Sequence, residues 1–112
     1  MPAELAVEYF ETGPNSRYLA SVARVKSAHR KTFAGALLGG DLIRVHTVRR
    51  EDNPLYWNLL HAAGKSSGLP VLYNTSFNLF GEPLVCSPRD AVRSFYSSGI
   101  DALFAGSFFL QK

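Results

Sequence analysis

Apolar and polar positions change period several times along this chain, and each change marks an element. Pro2 to Glu11 sets Leu5, Val7, Tyr9 and Phe10 among polar neighbours, with a proline near the first turn, which predicts a short helix. Thr12-Gly13-Pro14-Asn15 breaks it. Tyr18 to Lys26 is β-branched and apolar enough for a strand, and Lys31 to Asp41, with Gly35, Gly39 and Gly40, predicts a flexible loop. Leu42 to Arg49 alternates: Ile43, Val45 and Thr47 share one face, and Arg44 and His46 share the other. Asn53 as N-cap and Pro54 in the first turn open a helix that runs to about Lys65. Its apolar stripe is Leu55, Leu59, Leu60 and Ala63, and Ser66-Ser67-Gly68 ends it.

Pro70 to Tyr73 is wholly apolar and predicts a short strand buried on both faces, a neighbour of strand 42–49. Ser87-Pro88-Arg89-Asp90 repeats the cap pattern and starts a helix that ends at Gly99. Ala102 to Gln111 supplies last strand pieces, broken at Gly106. Strands alternating with helices predict an α/β fold: a twisted, open, mixed sheet with helices on its faces. With 112 residues, 46% of them hydrophobic, the chain suits one domain with one core.

Charge narrows the partners. The net charge of +3, from 12 basic and 9 acidic residues, suits a small anionic ligand better than nucleic acid. Arg17, Arg24, Lys26, Arg30, Lys31, Arg44, Arg49 and Arg50 all fall in the first half, as a basic face that is either functional or simply solvated. Cys86 is the only cysteine, so no internal disulfide can form; between Val85 and Ser87 it reads as a small buried filler. No apolar run is long enough to span a membrane and no signal-peptide pattern opens the chain, so a soluble, cytoplasmic protein is expected. His29, His46 and His61 have no metal-ligand spacing, and no metal site is expected within the chain. No phosphate-binding glycine loop or nucleophile elbow is present. Tyr56-Trp57 could stack on a base, but at helical spacing near Leu60 the pair reads more readily as core.

The chemistry concentrates at residues 74–83. The apolar run Val71-Leu72-Tyr73 gives way to Asn74-Thr75-Ser76-Phe77-Asn78, and a turn at Gly81 and Pro83 closes the segment. Hydroxyls, amides and backbone N–H groups at a strand end suit a polar or anionic ligand. With Arg44 and His46 on a neighbouring strand, Asn74, Thr75, Ser76 and Asn78 would complete a cradle for phosphate or carboxylate. The same residues equally fit a tight turn capped by Asn74 and Ser76, and the pattern alone leaves both readings open.

Asn74-Thr75-Ser76-Phe77-Asn78 followed by Gly81-Glu82-Pro83-Leu84-Val85 resembles the C-terminal domain of the O-carbamoyltransferases of nodulation-factor and antibiotic biosynthesis. Arg44-Val45-His46-Thr47-Val48, Arg50-Glu51, Asn53-Pro54, Gly68-Leu69-Pro70-Val71-Leu72, Pro88, Asp90-Ala91, Phe95, Gly99-Ile100-Asp101-Ala102-Leu103, Gly106 and Lys112 carry the likeness further, and Glu4 and Tyr9-Phe10 extend it upstream. The resemblance implies kinship with the threonylcarbamoyl-adenylate synthase fold, of which this chain would be a part, shortened on its N-terminal side. Thr75-Ser76-Phe77-Asn78 and Gly81-Glu82-Pro83 match the motif at the nucleotide site of those synthases.

The implied activity is formation of a carbamoyl-adenylate from carbamoyl phosphate and ATP, both substrates, with Mg²⁺ entering only alongside ATP. A separate N-terminal transfer domain or subunit would pass the carbamoyl group to a hydroxyl acceptor. Arg44, Ser76 and Asn78 are then the catalytic candidates, with Asn74, Thr75, His46, Arg50 and Lys26 binding ligand. The chemistry is positioning and neutralisation of phosphate charge, with no side-chain nucleophile. Two departures stand out: Leu38 occupies the family's histidine position, and Gly40-Asp41 reverses its Asp-Gly order. Leu38 in place of that histidine favours a first alternative, a non-catalytic nucleotide- or anion-binding or regulatory module. The second alternative, an RNA-binding domain, is disfavoured by the modest charge and by the absence of RNA-specific motifs. Homo-oligomerisation is left open.

Overall fold

The computed structural model describes residues 1–11 and 16–112; the breaker cluster at 12–15 lies outside the described residues. The chain divides into two compact units, Met1–Tyr73 and Asn74–Lys112.

In the first unit a 3-10 turn, Ala3–Leu5, leads into helix α1 (Ala6–Tyr9). The chain then extends into strand β1 (Phe10–Glu11), two residues sooner than the expected helix end. Strands β2 (Val22–Val25) and β3 (Leu42–Arg44) complete an antiparallel sheet in the order β1-β2-β3. Phe10 stands opposite Val25, and Val22 opposite Arg44. The alternation expected of residues 42–49 appears as burial: Ile43, Val45 and Thr47 are buried, Arg44 is exposed and His46 half-buried. The core gathers Phe10, Val25, Ile43 and Val45 around Phe33, whose ring lies 4.9 Å from that of Phe10 and 5.8 Å from Tyr9. Met1 to Ala3 run beside residues 46–48, where the Ala3 N–H donates to Val48 O and the Val48 N–H to Met1 O, both at 2.9 Å.

Helix α2 (Pro54–Ser67) starts as its sequence predicts, with Asn53 Oδ1 accepting the Tyr56 N–H at 3.0 Å. It ends at Gly68, whose φ of 78° closes a left-handed cap that an L side chain resists. Near that end Gly64 is packed so closely that an added Cβ would lie 2.8 Å from Pro70 Cβ. The stripe does not face inward as expected: Leu60 is fully buried, while Leu55 and Leu59 are 81% and 53% exposed. One turn of the helix buries its apolar residue and the flanking leucines face out.

Pro70–Tyr73 is not a strand, and so is not a neighbour of strand β3. Pro70 has no N–H for a ladder, the Val71 N–H is turned back to Leu69 O, and Leu69 and Val71 pack on the core as loop residues. Tyr73 is exposed rather than buried.

The second unit is helix α3 (Pro88–Tyr96) against the hairpin of β4 (Ala102–Ala105) and β5 (Phe108–Gln111). Gly106, at φ 60°, turns the hairpin. Phe95 is fully buried with Ala91 and Leu103, and Phe77, Val85 and Leu110 pack around them. The α/β class therefore holds, but as helices with two small antiparallel sheets rather than one open mixed sheet. The mixed sheet needed residues 70–73 to join β3. Among the described residues no helix is long and apolar enough to cross a membrane.

The start of α3 is a reciprocal cap. Ser87 Oγ accepts the Asp90 N–H at 3.2 Å, and Asp90 Oδ2 accepts the Ser87 N–H at 3.1 Å and the Ser87 hydroxyl at 2.6 Å. Those bonds, the Ser87 hydroxyl first, hold the Asp90 carboxyl below its ordinary pKa. Ser87→Ala should lower stability by about 1 kcal/mol in chemical denaturation, and the Asp90 pKa read by NMR should rise. An unchanged denaturation midpoint would show that the cap contributes nothing. Cys86 is exposed rather than buried, with its Sγ 3.5 Å from Asp90 Oδ2; it is the neighbouring Val85 that packs on the Phe95 cluster.

Candidate functional site

Half of the basic face of the first half is neutralised: Arg17, Arg24, Arg30 and Arg49 pair with carboxylates, and Lys26, Lys31, Arg44 and Arg50 do not among the described residues. Arg24 pairs with Asp41 at 2.6 Å and with Glu11, and Arg30 also reaches Asp41. Arg17 and Arg49 share Asp52 at 2.6 and 2.9 Å, and Arg49 also pairs with Glu51. The hydrogen bond from Arg24 comes first in holding the Asp41 carboxyl below its usual range, and that from Arg49 does the same for Asp52. Both aspartates stay ionised and committed to arginine. Surface pairs of this kind add little stability, but they reduce the positive charge that an RNA backbone would meet.

The cations singled out by sequence as catalytic or ligand-binding are among those left over, with Lys31. Arg44, at the end of β3, donates one N–H to Leu19 O at 2.8 Å and has no carboxylate partner among the described residues. Leu19 has a φ of 57°, so the arginine steadies a carbonyl in a left-handed turn. The Lys26 ammonium donates to Val7 O. The Arg50 guanidinium lies 5.5 Å from the centre of the Trp57 ring, a cation–π contact. A guanidinium or ammonium held only by carbonyl or ring keeps its charge and most of its donors for an anion.

These cations are not one cluster. Arg44 is opposite Val22, and Lys26 follows Val25 at the other end of β2. At the usual rise per residue that is a separation on the order of 13 Å. His46 follows Arg44 but sits differently: it is half-buried, its ring 6.1 Å from that of Tyr56, and its Nδ1 is buried without a hydrogen-bond partner. Burial first, and the nearby Met1 amino group second, push its pKa below the ordinary value of 6.5.

That shift has a definite sign. The unfolded chain takes up a proton at His46 near its ordinary value and the folded chain resists it, so stability falls as pH drops below about 6.5. The Met1 amino group, lowered to about 6 by burial, acts in the same direction from about 8 downward. Replacing His46 with Phe should flatten the fall in melting temperature between pH 6.5 and 5, above the range where the carboxylates titrate. An identical slope in wild type and variant would show that His46 does not carry it.

The polar loop belongs to the second unit. Asn78 Nδ2 donates to Glu82 O at 3.0 Å and Leu79 O at 3.3 Å, the Glu82 N–H donates to Leu79 O, and Gly81 takes a φ of 81°. The Val85 N–H closes the base of the loop on Phe77 O at 3.0 Å. The Asn78 amide thus holds the turn together. The side chains of Asn74, Thr75 and Ser76 are exposed and make no hydrogen bond among the described residues. Capping explains Asn78's NH₂ group and leaves two hydroxyls and an amide open to a ligand. Leu38 is exposed and brings no polar group to its loop, where its N–H bonds Leu42 O at 2.9 Å.

One arrangement is only partly legible from spacing. Glu4 Oε1 accepts the Trp57 Nε1–H at 2.9 Å and lies 3.0 Å from His61 Nε2, while the Trp57 and His61 rings are 3.9 Å apart. Beside them Ala3, Glu4, Arg49, Arg50, Glu51 and Trp57 line an open cleft of about 300 Å³. The i, i+4 spacing of Trp57 and His61 signals their contact; nothing local signals Glu4. Trp57 is therefore neither plain core nor a bare stacking platform. Among the described residues no group of three or more His, Cys, Asp or Glu side chains could hold a metal ion.

The family model described as "Carbamoyltransferase C-terminus" matches residues 1–112. The nodulation protein NolO of Bradyrhizobium diazoefficiens is 36% identical over 112 residues, 97% of this chain and 20% of the relative. NolNO of Sinorhizobium fredii is 36% identical over 113 residues, 97% of this chain and 16% of its own length. The 3'-hydroxymethylcephem-O-carbamoyltransferase of Amycolatopsis lactamdurans is 38% identical over 69 residues, 62% of this chain and 13% of the relative. The chain spans a fifth or less of the length of these relatives.

Proposed function

Because the chain belongs to the carbamoyltransferase C-terminus family, we propose that it binds carbamoyl phosphate and ATP and supports formation of a carbamoyl-adenylate: water releases the phosphate of carbamoyl phosphate as inorganic phosphate, and the resulting carbamate oxygen bonds to the α-phosphorus of ATP as pyrophosphate leaves. A larger body of the kind its relatives carry would transfer the carbamoyl group to a hydroxyl. The observation that carries this reading is the family match across the whole chain, which includes Thr75-Ser76-Phe77-Asn78 and Gly81-Glu82-Pro83. Two structural facts support it: among the described residues Arg44, Lys26 and Arg50 have no carboxylate partner, and the hydroxyls of Thr75 and Ser76 make no hydrogen bond.

In this reading Arg44, with Lys26 and Arg50, neutralises phosphate charge. Ser76 donates its hydroxyl to a phosphate or carbamoyl oxygen, and Asn78 offers Oδ1, since its NH₂ group already holds the turn. His46 and the side chains of Asn74 and Thr75 complete ligand binding. Magnesium would enter with ATP. Kinship in fold with threonylcarbamoyl-adenylate synthases belongs to the same proposal and rests on the shared motif.

The test is release of pyrophosphate from ATP, measured with and without carbamoyl phosphate. Ser76→Ala should reduce the dependent rate by roughly 10- to 100-fold, the effect of removing one hydrogen bond to a charged group. Equal rates in wild type and variant would exclude Ser76. A second reading, a nucleotide- or anion-binding module without chemistry, is favoured by Leu38 at the family's histidine position. Calorimetric binding of ATP without pyrophosphate release would establish it.

A further inference from the structure

Helix α3 covers one face of the β4–β5 hairpin and leaves the other bare. Leu103 and Leu110 are cross-strand partners and join Phe95 beneath the helix. Side chains alternate between the faces of a strand, so the adjacent pair, Phe104 and Phe109, points away from α3. Their rings stack with centroids 4.6 Å apart, and they are 76% and 53% exposed. Phe108, opposite Ala105 at the turn end, is exposed as well.

The edges of this sheet are equally open. Among the described residues β4 pairs only with β5, so each strand keeps a row of unpaired N–H and C=O groups. Sheet edges are ordinarily blunted by Lys, Glu or Pro, and residues 102–111 contain no charge and no proline. A two-stranded sheet with an uncovered aromatic face is a docking surface rather than a finished one.

The family relationship indicates the occupant. In NolO and NolNO the matched stretch is 20% and 16% of one long chain, so these relatives carry it joined to a far larger body. We propose that the Phe104–Phe109 face and a free edge of the hairpin dock a body of that kind, which adds a strand to the sheet and covers the two rings. Backbone pairing along the edge supplies a ladder of hydrogen bonds, and the stacked rings supply the buried centre of the interface. The inference rests on family membership and the hairpin, and not on the ligand proposal; absence of ATP binding in calorimetry would leave it standing.

The experiment replaces the matched fifth of full-length NolO with this chain and follows hydrogen exchange at residues 103–111. Exchange there should be roughly 100-fold slower in the chimera than in the 112-residue chain alone, as a strand moves from a fraying edge to the interior. The double substitution Phe104→Asp with Phe109→Asp should abolish that protection. Both rings are on the bare face, so the 112-residue chain with the same changes should keep its circular dichroism; if it does not, Phe104→Ser with Phe109→Ser is used instead. Equal exchange in chimera and isolated chain, protection that survives the double substitution, or a chimera that does not fold would each overturn the proposal. So would sedimentation showing a dimer of the isolated chain with residues 103–111 already protected, since the occupant would then be a second copy.

Discussion

Arg44→Ala is expected to weaken binding of carbamoyl phosphate by roughly 10- to 100-fold, the usual effect of losing charge-assisted hydrogen bonds to an anion. The expectation follows from how little the folded chain asks of this guanidinium. One N–H reaches Leu19 O at 2.8 Å, and among the described residues no carboxylate competes for the rest. Arg24 and Arg49 are the contrast, since each is held by at least two acidic groups. Arg24→Ala should leave affinity nearly unchanged, which separates a ligand contact from a general effect of positive charge. Arg44→Lys should fall between the two, because an ammonium keeps the charge and loses the planar fork. Calorimetry with carbamoyl phosphate at fixed ionic strength decides it. Equal affinities for wild type and Arg44→Ala would remove Arg44 from the site, provided that both proteins melt alike.

The largest effect on stability is expected at Phe95. Its ring is fully buried between α3 and the hairpin, with Leu103 and Leu110 on one side and Phe77 and Val85 completing the cluster. The Lys112 ammonium lies 4.8 Å from the ring centre. Truncation to alanine leaves a cavity that a cluster this small cannot refill, at a cost of about 3–5 kcal/mol. Among the described residues the second unit has no other buried apolar cluster to fall back on, so amides of α3 and the hairpin should exchange freely in Phe95→Ala. The first unit is built around Phe10, Phe33 and Val25 and should keep its protection. Equal loss of protection at Val25 and Leu103 would show that the units unfold together. Phe95→Leu, which keeps most of the volume, should cost well under half as much.

What could be read from the sequence was local. Asn53-Pro54 and Ser87-Pro88 open helices because a cap needs only a short side chain and a fixed φ within four residues. Ile43, Val45 and Thr47 are buried in turn because alternation is a property of the extended backbone itself. What failed depended on partners far along the chain. Pro70–Tyr73 has strand composition, but composition does not supply a neighbouring edge. Leu55 and Leu59 have helical spacing, yet spacing does not say how much of a helix its surroundings will cover. The arginines were legible as a group, but their sorting was not, because Arg17 meets Asp52 across 35 residues and Arg24 meets Asp41 across 17. That sorting narrows the candidate site more than any motif, since it separates the cations that are spoken for from those that are free. The polar loop lay between these cases: its turn was legible in Gly81 and Pro83, and the division of labour between Asn78 and its open neighbours was not.

The contact between Gly64 and Pro70 governs how this chain can drift. A methyl group at 64 would meet not a flexible tip but the ring and backbone of Pro70, with Pro70 Cα at 3.0 Å. Gly64 cannot gain a side chain unless Pro70 and its backbone move. Gly99 meets nothing within 4 Å and has an ordinary backbone, and should accept alanine freely. A deep mutational library selected only for folding should therefore be nearly silent at 64 and permissive at 99. Because this contact fixes where the chain leaves α2, selection for a stable helix end also constrains the course of Leu69 and Pro70, whether or not those residues are themselves under selection.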